Sequence, residues 1–432
     1  LSAAATFAAC TDVSAPLADA EARQPLMAVT GVATKDVQIA VGQRIFNDKN
    51  LSRFKNQSCA SCHNPDWGFN GPDDGSIESI DAAFFVGSFS TAAGQTARFG
   101  DRKPPAAAYA AFAPTLKFNN QEGTWVGGNF WDGRATGAAS NSPAVDQALG
   151  PFKSSVEHAF SAVCVLWEIR DGAYAKQFET GAPVKFASLP FAKIGQTREQ
   201  FCHNASAQDL PELPPNWTQR DLTNALADYN YVGVVIAEFE KSPLVSAFSA
   251  KFDAVAAGTA TFTAEELQGQ TLFNGRATCK QCHSSDVGRE QFTDFSYYNL
   301  GVPRKNPRVL DRGLGATINN PAFNGFFKSP SLRNVAKVPL TGGRRTYMHN
   351  GVLTSLEQVV HFYNTRDLKA CPAGVSFVRF PTNADPVELK AQGICWPAPD
   401  FPGTLVPQIG NIGLTPAEER ALIAYMRTFT DR

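Results

Sequence analysis

Apolar side chains recur at helical spacing in four stretches of the chain, and the four form two matching pairs. Val37, Val41 and Ile45 mark one amphipathic helix, and Leu267, Leu272 and Phe273 mark another. Both stretches close on a related hexapeptide, Gly42-Gln43-Arg44-Ile45-Phe46-Asn47 and Gly269-Gln270-Thr271-Leu272-Phe273-Asn274. Thr263-Ala-Glu-Glu266 has the form of a capping box and starts the second of them. Each is followed, much later, by a second helix. Residues 221–241 are apolar at helical spacing through Leu226, Val234, Ile236 and Phe239. The last stretch opens at Leu414-Thr415-Pro416, with Thr415 as N-cap and Pro416 at the first helical position, and is expected to run to Phe429. An internal repeat on this scale sets the architecture. The chain is mainly α, with domains over 31–255 and 256–432 meeting near an Ala/Gly/Thr stretch at 250–261 and preceded by a short segment, 1–30.

The repeat also places chemistry. Each hexapeptide precedes a Cys-x-x-Cys-His motif: Cys59-Ala-Ser-Cys62-His63 and Cys279-Lys-Gln-Cys282-His283. Two cysteines at this spacing reach both vinyl groups of one haem, and the histidine then sits under the iron. One such pentapeptide arises by chance fairly often; two, each after a matching helix, are hard to explain otherwise. A zinc knuckle would need another Cys/His pair nearby, and a redox dithiol does not need the histidine. A helix ending in a haem-attachment motif, a long loop and a terminal helix is the layout of a cytochrome c-like domain. Two c-type haems are therefore expected, one per domain.

The 432 residues are 43% hydrophobic and 18% charged, with a net charge of -1. That supplies two ordinary cores and no basic face for nucleic acid. No apolar run approaches the roughly 20 residues of a membrane-spanning helix. Residues 1–9 are small and apolar, and 11–24 are rich in Ala, Asp and Pro, like the tail of an export signal followed by a linker, so the periplasm is the expected location. Phe7-Ala8-Ala9-Cys10 faintly resembles a lipoprotein cleavage box, which makes Cys10 a candidate lipid anchor; an incidental cysteine in a signal remnant is the alternative. Of nine cysteines, four lie in the motifs and Cys10 is a fifth. Cys164, Cys202, Cys371 and Cys395 remain, an even set that suggests two disulfides in an exported protein. Among the three possible connectivities, proximity in sequence favours Cys164–Cys202 and Cys371–Cys395.

The sixth ligand of each iron decides between moving electrons and binding peroxide or oxygen. After His63 there is no histidine before His158 and no methionine before Met348. Residues 64–76 offer Trp67 and Phe69 but no good ligand, so the first haem is expected to have an open face. The second half offers Met348, His349, His361, Tyr363 and Met426. Analogy with small cytochromes c favours Met348, in the loop before the final helix, and makes Met426 a packing residue.

Several segments together carry a family resemblance. They are Ser58-Cys-Ala-Ser-Cys-His-Asn-Pro65, Phe130-Trp-Asp-Gly-Arg-Ala135, Gln147-Ala-Leu-Gly-Pro151 with Val156-Glu157, Ser329-Pro-Ser-Leu-Arg-Asn-Val335, and Tyr347-Met-His-Asn-Gly351 with Leu356-Glu-Gln-Val359. From about residue 37 to 429 the chain resembles the bacterial di-haem cytochrome c peroxidases, and within them the tyrosine-ligated MauG-like (MbnH-like) branch. The resemblance implies roles. Glu157 matches the distal acid/base that moves a proton between the peroxide oxygens at the first haem. Trp131 matches the residue that relays electrons between the haems. In the peroxidases a Met fourteen residues after the His of Tyr-x-His-x-Gly ligates the second iron; here that count from His349 reaches Tyr363, and the MauG-like branch has Tyr there. A phenolate is a hard anionic donor that favours oxidised iron, whereas a thioether favours the reduced state. Met348 stays as the alternative ligand.

Two departures from the family pattern matter. The peroxidases carry a distal His in the loop after the first motif, which must move aside on activation; residues 64–100 contain none, so the first haem is expected to meet peroxide as isolated. The family also holds a calcium ion between the haems partly through an Asn in Arg-Asn-x-Pro. The matching segment is Arg102-Lys103-Pro-Pro105, and Arg344 falls near the backbone positions that complete that site. A lysine cannot ligate calcium, which leaves calcium doubtful unless other oxygens replace the Asn. Insertions at 164–217, 298–327 and 369–410 enlarge the scaffold, either as partner surfaces or as packing. The resemblance implies a periplasmic oxidoreductase that uses hydrogen peroxide, shares the oxidising equivalents over two haems and oxidises a partner protein, with Trp side chains among the substrates of the branch. The alternatives are a cytochrome c peroxidase fed by a small redox protein, and a non-enzymatic di-haem electron carrier.

Overall fold

A computed structural model describes residues 34–71, 85–86, 99–100, 102–203, 210–284, 290–304, 310–340, 345–372 and 395–432. Segment 1–30 with Cys10, Arg344 and parts of the 64–100 loop and of the later insertions lie outside the described residues. The fold is mainly helical. Its sheet content, among the described residues, is three two-stranded antiparallel ribbons: Phe85–Val86 with Phe99–Gly100, Lys117–Asn119 with Thr124–Val126, and Tyr297–Tyr298 with Phe327–Lys328.

The repeat seen in the sequence is a repeat in space. The Lys35–Asn47 helix packs along Gln219–Lys241, and Ala264–Asn274 packs along Pro416–Arg427. The repeated glycine explains both crossings. A Cβ on Gly42 would overlap the carbonyl oxygen of Val235, and one on Gly269 would overlap that of Ala421. Only a residue without a Cβ lets backbones approach so closely. Gly42→Ala and Gly269→Ala should therefore each destabilise the protein by about 1–3 kcal/mol through overpacking, although alanine is the better helix former. Denaturant unfolding of the haem-loaded protein checks this, and unchanged midpoints would show that the close crossing is dispensable.

The caps work as the sequence suggests. Thr263 Oγ1 accepts from Glu266 N at 3.2 Å while Glu266 Oε2 accepts from Thr263 N at 2.7 Å. Thr415 and Glu418 repeat the arrangement at 3.3 and 2.8 Å. The long helix begins at Gln219, two positions ahead of the expected 221, because Thr218 and Asp221 form a third capping box. The final helix ends at Arg427, short of Phe429. There the chain turns inward, and Phe429 stacks on Phe292 with ring centroids 3.7 Å apart.

Two principal cores result. The first gathers around Val41, Phe46, Val232 and Phe239, the second around Phe273, Leu422, Tyr425 and Phe429. The 164–217 insertion belongs to the first core: Trp167, Phe191, Phe201 and Trp217 are all buried, and Phe191 lies between Trp167 and Trp217 at 5.2 and 5.6 Å. Cys164–Cys202 ties that insertion together, and Cys371–Cys395 closes the later one beside buried Trp396. No helix among the described residues is long and apolar enough to cross a membrane.

Candidate haem-binding site

Both Cys-x-x-Cys-His motifs make the same turn. His63 N donates to Cys59 O at 2.8 Å, and His283 N donates to Cys279 O at 2.9 Å. The first turn is capped by reciprocal Ser58–Ser61 hydrogen bonding; the second is entered through Thr278 in the left-handed region. The four motif cysteines form no disulfide, whereas Cys164, Cys202, Cys371 and Cys395 are disulfide-bonded. Burial pushes the Cys279 thiol up to about 12. Burial pushes Cys59 higher still, aided by the Glu240 carboxylate. These are not the low-pKa thiols of a redox dithiol; outside any disulfide, and with Cys279 and Cys282 lining a largely apolar cavity, they fit thioether attachment. His283 Nδ1 lies 2.9 Å from the Phe292 carbonyl oxygen, and donating there leaves Nε2 for a metal. Burial lowers His63 and His283 to about 4, so both rings are neutral near pH 7 and suited to ligation. Ser329, from the Ser-Pro-Ser-Leu segment, braces the second motif by donating to Cys282 O at 3.0 Å.

Around the first motif, Phe46 approaches the His63 ring at 6.5 Å and Phe239 at 5.3 Å. In the described part of the following loop, Trp67 and Phe69 are buried and residues 64–71 contribute no histidine, methionine or cysteine. His158 is held elsewhere: its Nδ1 meets Leu51 O at 2.9 Å and its ring packs edge-on to Phe152. Glu157, partly buried, interacts electrostatically with Cys59 of the first motif. Burial raises its pKa, with a Ser154 hydrogen bond and the Arg134 charge opposing. Glu240 is a second carboxyl there, buried and pushed up to about 8 by that burial. Sequence reading missed it. Between Phe239 and Lys241 near a helix end, it looks like any solvent-facing carboxylate, and only the packing of that helix turns it inward.

Around the second motif one cavity is lined by Cys279, Cys282, His283, Met348, Tyr363 and Met426, and Trp131 also lines it. Burial raises the Tyr363 phenol well above its usual range, and the Cys282 and Cys279 thiols that line the same cavity add to the shift. Met348 reaches the same cavity from a left-handed backbone position. Met426 is both a core residue and part of the wall. His361 is occupied: Nδ1 pairs with Glu419 at 3.0 Å, and Nε2 accepts from Lys369 Nζ at 2.9 Å. His349 lies flat on Phe327, with centroids 3.6 Å apart.

Trp131 is fixed from both sides. Its Nε1 donates to Lys103 O at 2.7 Å, and its carbonyl accepts from Lys328 N at 2.9 Å. The neighbouring Asp132 is clamped by Arg102, which also holds Asp311 through two hydrogen bonds of 2.6 and 2.7 Å. Lys103 directs its ammonium to Asn70 Oδ1 at 2.8 Å. Among the described residues, no group of three or more His, Cys, Asp or Glu is placed to hold a metal ion.

A family model described as di-haem cytochrome c peroxidase matches residues 36–261. Over 416 residues the chain is 32% identical to the methylamine utilization protein MauG of Paracoccus denitrificans, spanning 92% of this chain and 89% of that one. The chain belongs to the di-haem cytochrome c peroxidase family. Solved structures share the fold of this di-haem peroxidase. The diheme peroxidase BthA of Burkholderia thailandensis superposes with a TM-score of 0.65 at 24% identity, over 91% of this chain and 86% of BthA. A MauG-like protein associated with microbial copper homeostasis superposes with a TM-score of 0.58 at 20% identity, over 95% of each chain. As a member of the family, the chain is a haem-dependent oxidoreductase that uses peroxide.

Proposed function

We propose that the chain carries two covalent c-type haems, in cytochrome c-like domains over 31–255 and 256–432, and oxidises a partner protein in the periplasm with hydrogen peroxide, Trp side chains being the preferred targets. Cys59 and Cys62 attach the first haem and Cys279 and Cys282 the second, with His63 and His283 as proximal ligands and Tyr363 as the further ligand of the second. Bound there, two haems would supply the redox chemistry, storing the oxidising equivalents of peroxide for release in single-electron steps.

The observation that carries this reading is Glu157. Its carboxyl is partly buried and interacts electrostatically with Cys59 of the first motif, and burial raises its pKa above the ordinary carboxylate value. A carboxyl raised in this way can take a proton from one peroxide oxygen and return it to the other. The described loop after His63 brings no competing ligand side chain toward it. Trp131, locked by its hydrogen bonds to Lys103 and from Lys328, is held in one orientation in the wall of the second cavity, as a relay requires. The two disulfides support an oxidising compartment.

Trp131→Phe tests the division of labour. The first haem should still react with peroxide, while oxidation of the second, followed by stopped-flow spectroscopy, should slow roughly tenfold or more, a rise of about 1.4 kcal/mol in the barrier. An unchanged rate would remove Trp131 from the route. Fast turnover with a reduced small cytochrome c, without oxidation of protein side chains, would identify a peroxide-scavenging peroxidase instead.

A further inference from the structure

We propose that Lys103 is a positioning residue that supplies, from the chain itself, the fixed positive charge between the two haem pockets, so that no calcium ion is needed there. The inference rests on the two-haem reading above.

Two observations meet in this residue. Its side chain is buried, at 3% exposure, and its ammonium donates to Asn70 Oδ1 at 2.8 Å and approaches Gly71 O at 3.4 Å. An amide oxygen and a backbone carbonyl are the donors a hard cation would use; here they face an ammonium. Burying that charge is costly unless such oxygens receive it. The same residue then reaches both halves through its backbone. Its carbonyl accepts the Trp131 indole N–H at 2.7 Å, and its amide donates to His349 O at 2.8 Å. Asn70 follows the first motif by a short loop, and His349 lines the second cavity, so one residue ties the first haem loop, the tryptophan and the second haem wall together.

The neighbouring cation does not serve this role, because Arg102 is committed to Asp132 and Asp311. Pro104 and Pro105 follow directly and fix the backbone there. A covalently tethered ammonium differs from a bound ion in one useful way: it cannot be lost to a chelator. A fixed cation near both pockets favours the reduced form of each haem and orients Trp131 before any electron moves.

The test uses the full-length, haem-loaded protein. Metal analysis of the purified protein should find no stoichiometric calcium. Treatment with EGTA, then added calcium, should leave both haem reduction potentials and the melting temperature unchanged. Lys103→Met should lower both potentials, the first more, and calcium should not restore them, while Lys103→Arg should retain most of the wild-type values. Stoichiometric calcium whose removal lowers the melting temperature would overturn the proposal, as would wild-type potentials in Lys103→Met. If Lys103→Met fails to fold, the calcium measurements on the wild type still decide. None of these readouts depends on the oxidised substrate, so a wrong partner assignment would leave them intact.

Discussion

Glu157→Gln is expected to slow the reaction of the ferric protein with hydrogen peroxide by about 10²–10⁴-fold, the usual contribution of a positioned acid/base. Both haems should remain attached, because the substitution changes none of the four motif cysteines and glutamine has nearly the same size and shape as glutamate. The fold should not suffer. Burial raises the carboxyl's pKa, so the folded state holds its proton more tightly than the unfolded chain does. Its contribution to stability is thus greatest at low pH and falls as pH rises through the unfolded and then the folded pKa. Glutamine carries no such penalty, and the variant should be at least as stable as the wild type at neutral pH. Loss of rate with stability retained is the signature of a catalytic role; parallel losses would point to packing. The wild-type rate should also decline on acidification as the carboxylate is protonated, and that limb should be missing from the variant's profile.

Tyr363→Phe should leave the first haem's encounter with peroxide nearly intact and shorten the life of the oxidised protein by on the order of 100-fold, about 2.7 kcal/mol. The physical reason is the donor. The Tyr363 phenol lines the same cavity as the Cys279 and Cys282 thiols, and by itself it resists ionisation. A ferric iron held there would reverse that preference, as metal ions do for their ligands, and a phenolate donor would favour the oxidised metal. Phenylalanine fills the same space without the oxygen. The near-infrared and EPR features of the second haem should change with it. A methionine-ligated low-spin signal that survives Tyr363→Phe would instead assign the ligand to Met348, which lines the same cavity.

What the sequence could reveal depended on how local the cause was. The capping boxes at Thr263 and Thr415, the attachment turns at Cys59 and Cys279 and the paired helices depend on residues a few positions apart, and they were legible. Gly42 and Gly269 were visible as a repeat, but their purpose appears only against the carbonyls of Val235 and Ala421. The 164–217 insertion could have been surface or packing. Its aromatic residues complete the first core, and their spacing follows no single helix because they come from several short turns. His361 was an open ligand candidate until its partners Glu419 and Lys369, brought in from elsewhere in the chain, occupied both nitrogens. Glu240 and the ammonium of Lys103 gave no sequence signal of their surroundings, since burial of a charge is set by distant contacts. The roles of Glu157, Trp131 and Tyr363 came from resemblance, and it is their placement near the motifs that gives those roles a physical basis.

The most direct test is a paired EPR and optical titration of the haem-loaded wild type with one equivalent of hydrogen peroxide. Before addition, a high-spin ferric signal from the His63 haem and a low-spin ferric signal from the His283 haem are expected. One equivalent should abolish both together and leave a long-lived oxidised protein. If only the high-spin signal responds while the second haem stays ferric, or if both haems prove six-coordinate and inert, the sharing of oxidising equivalents across two unequal haems is wrong.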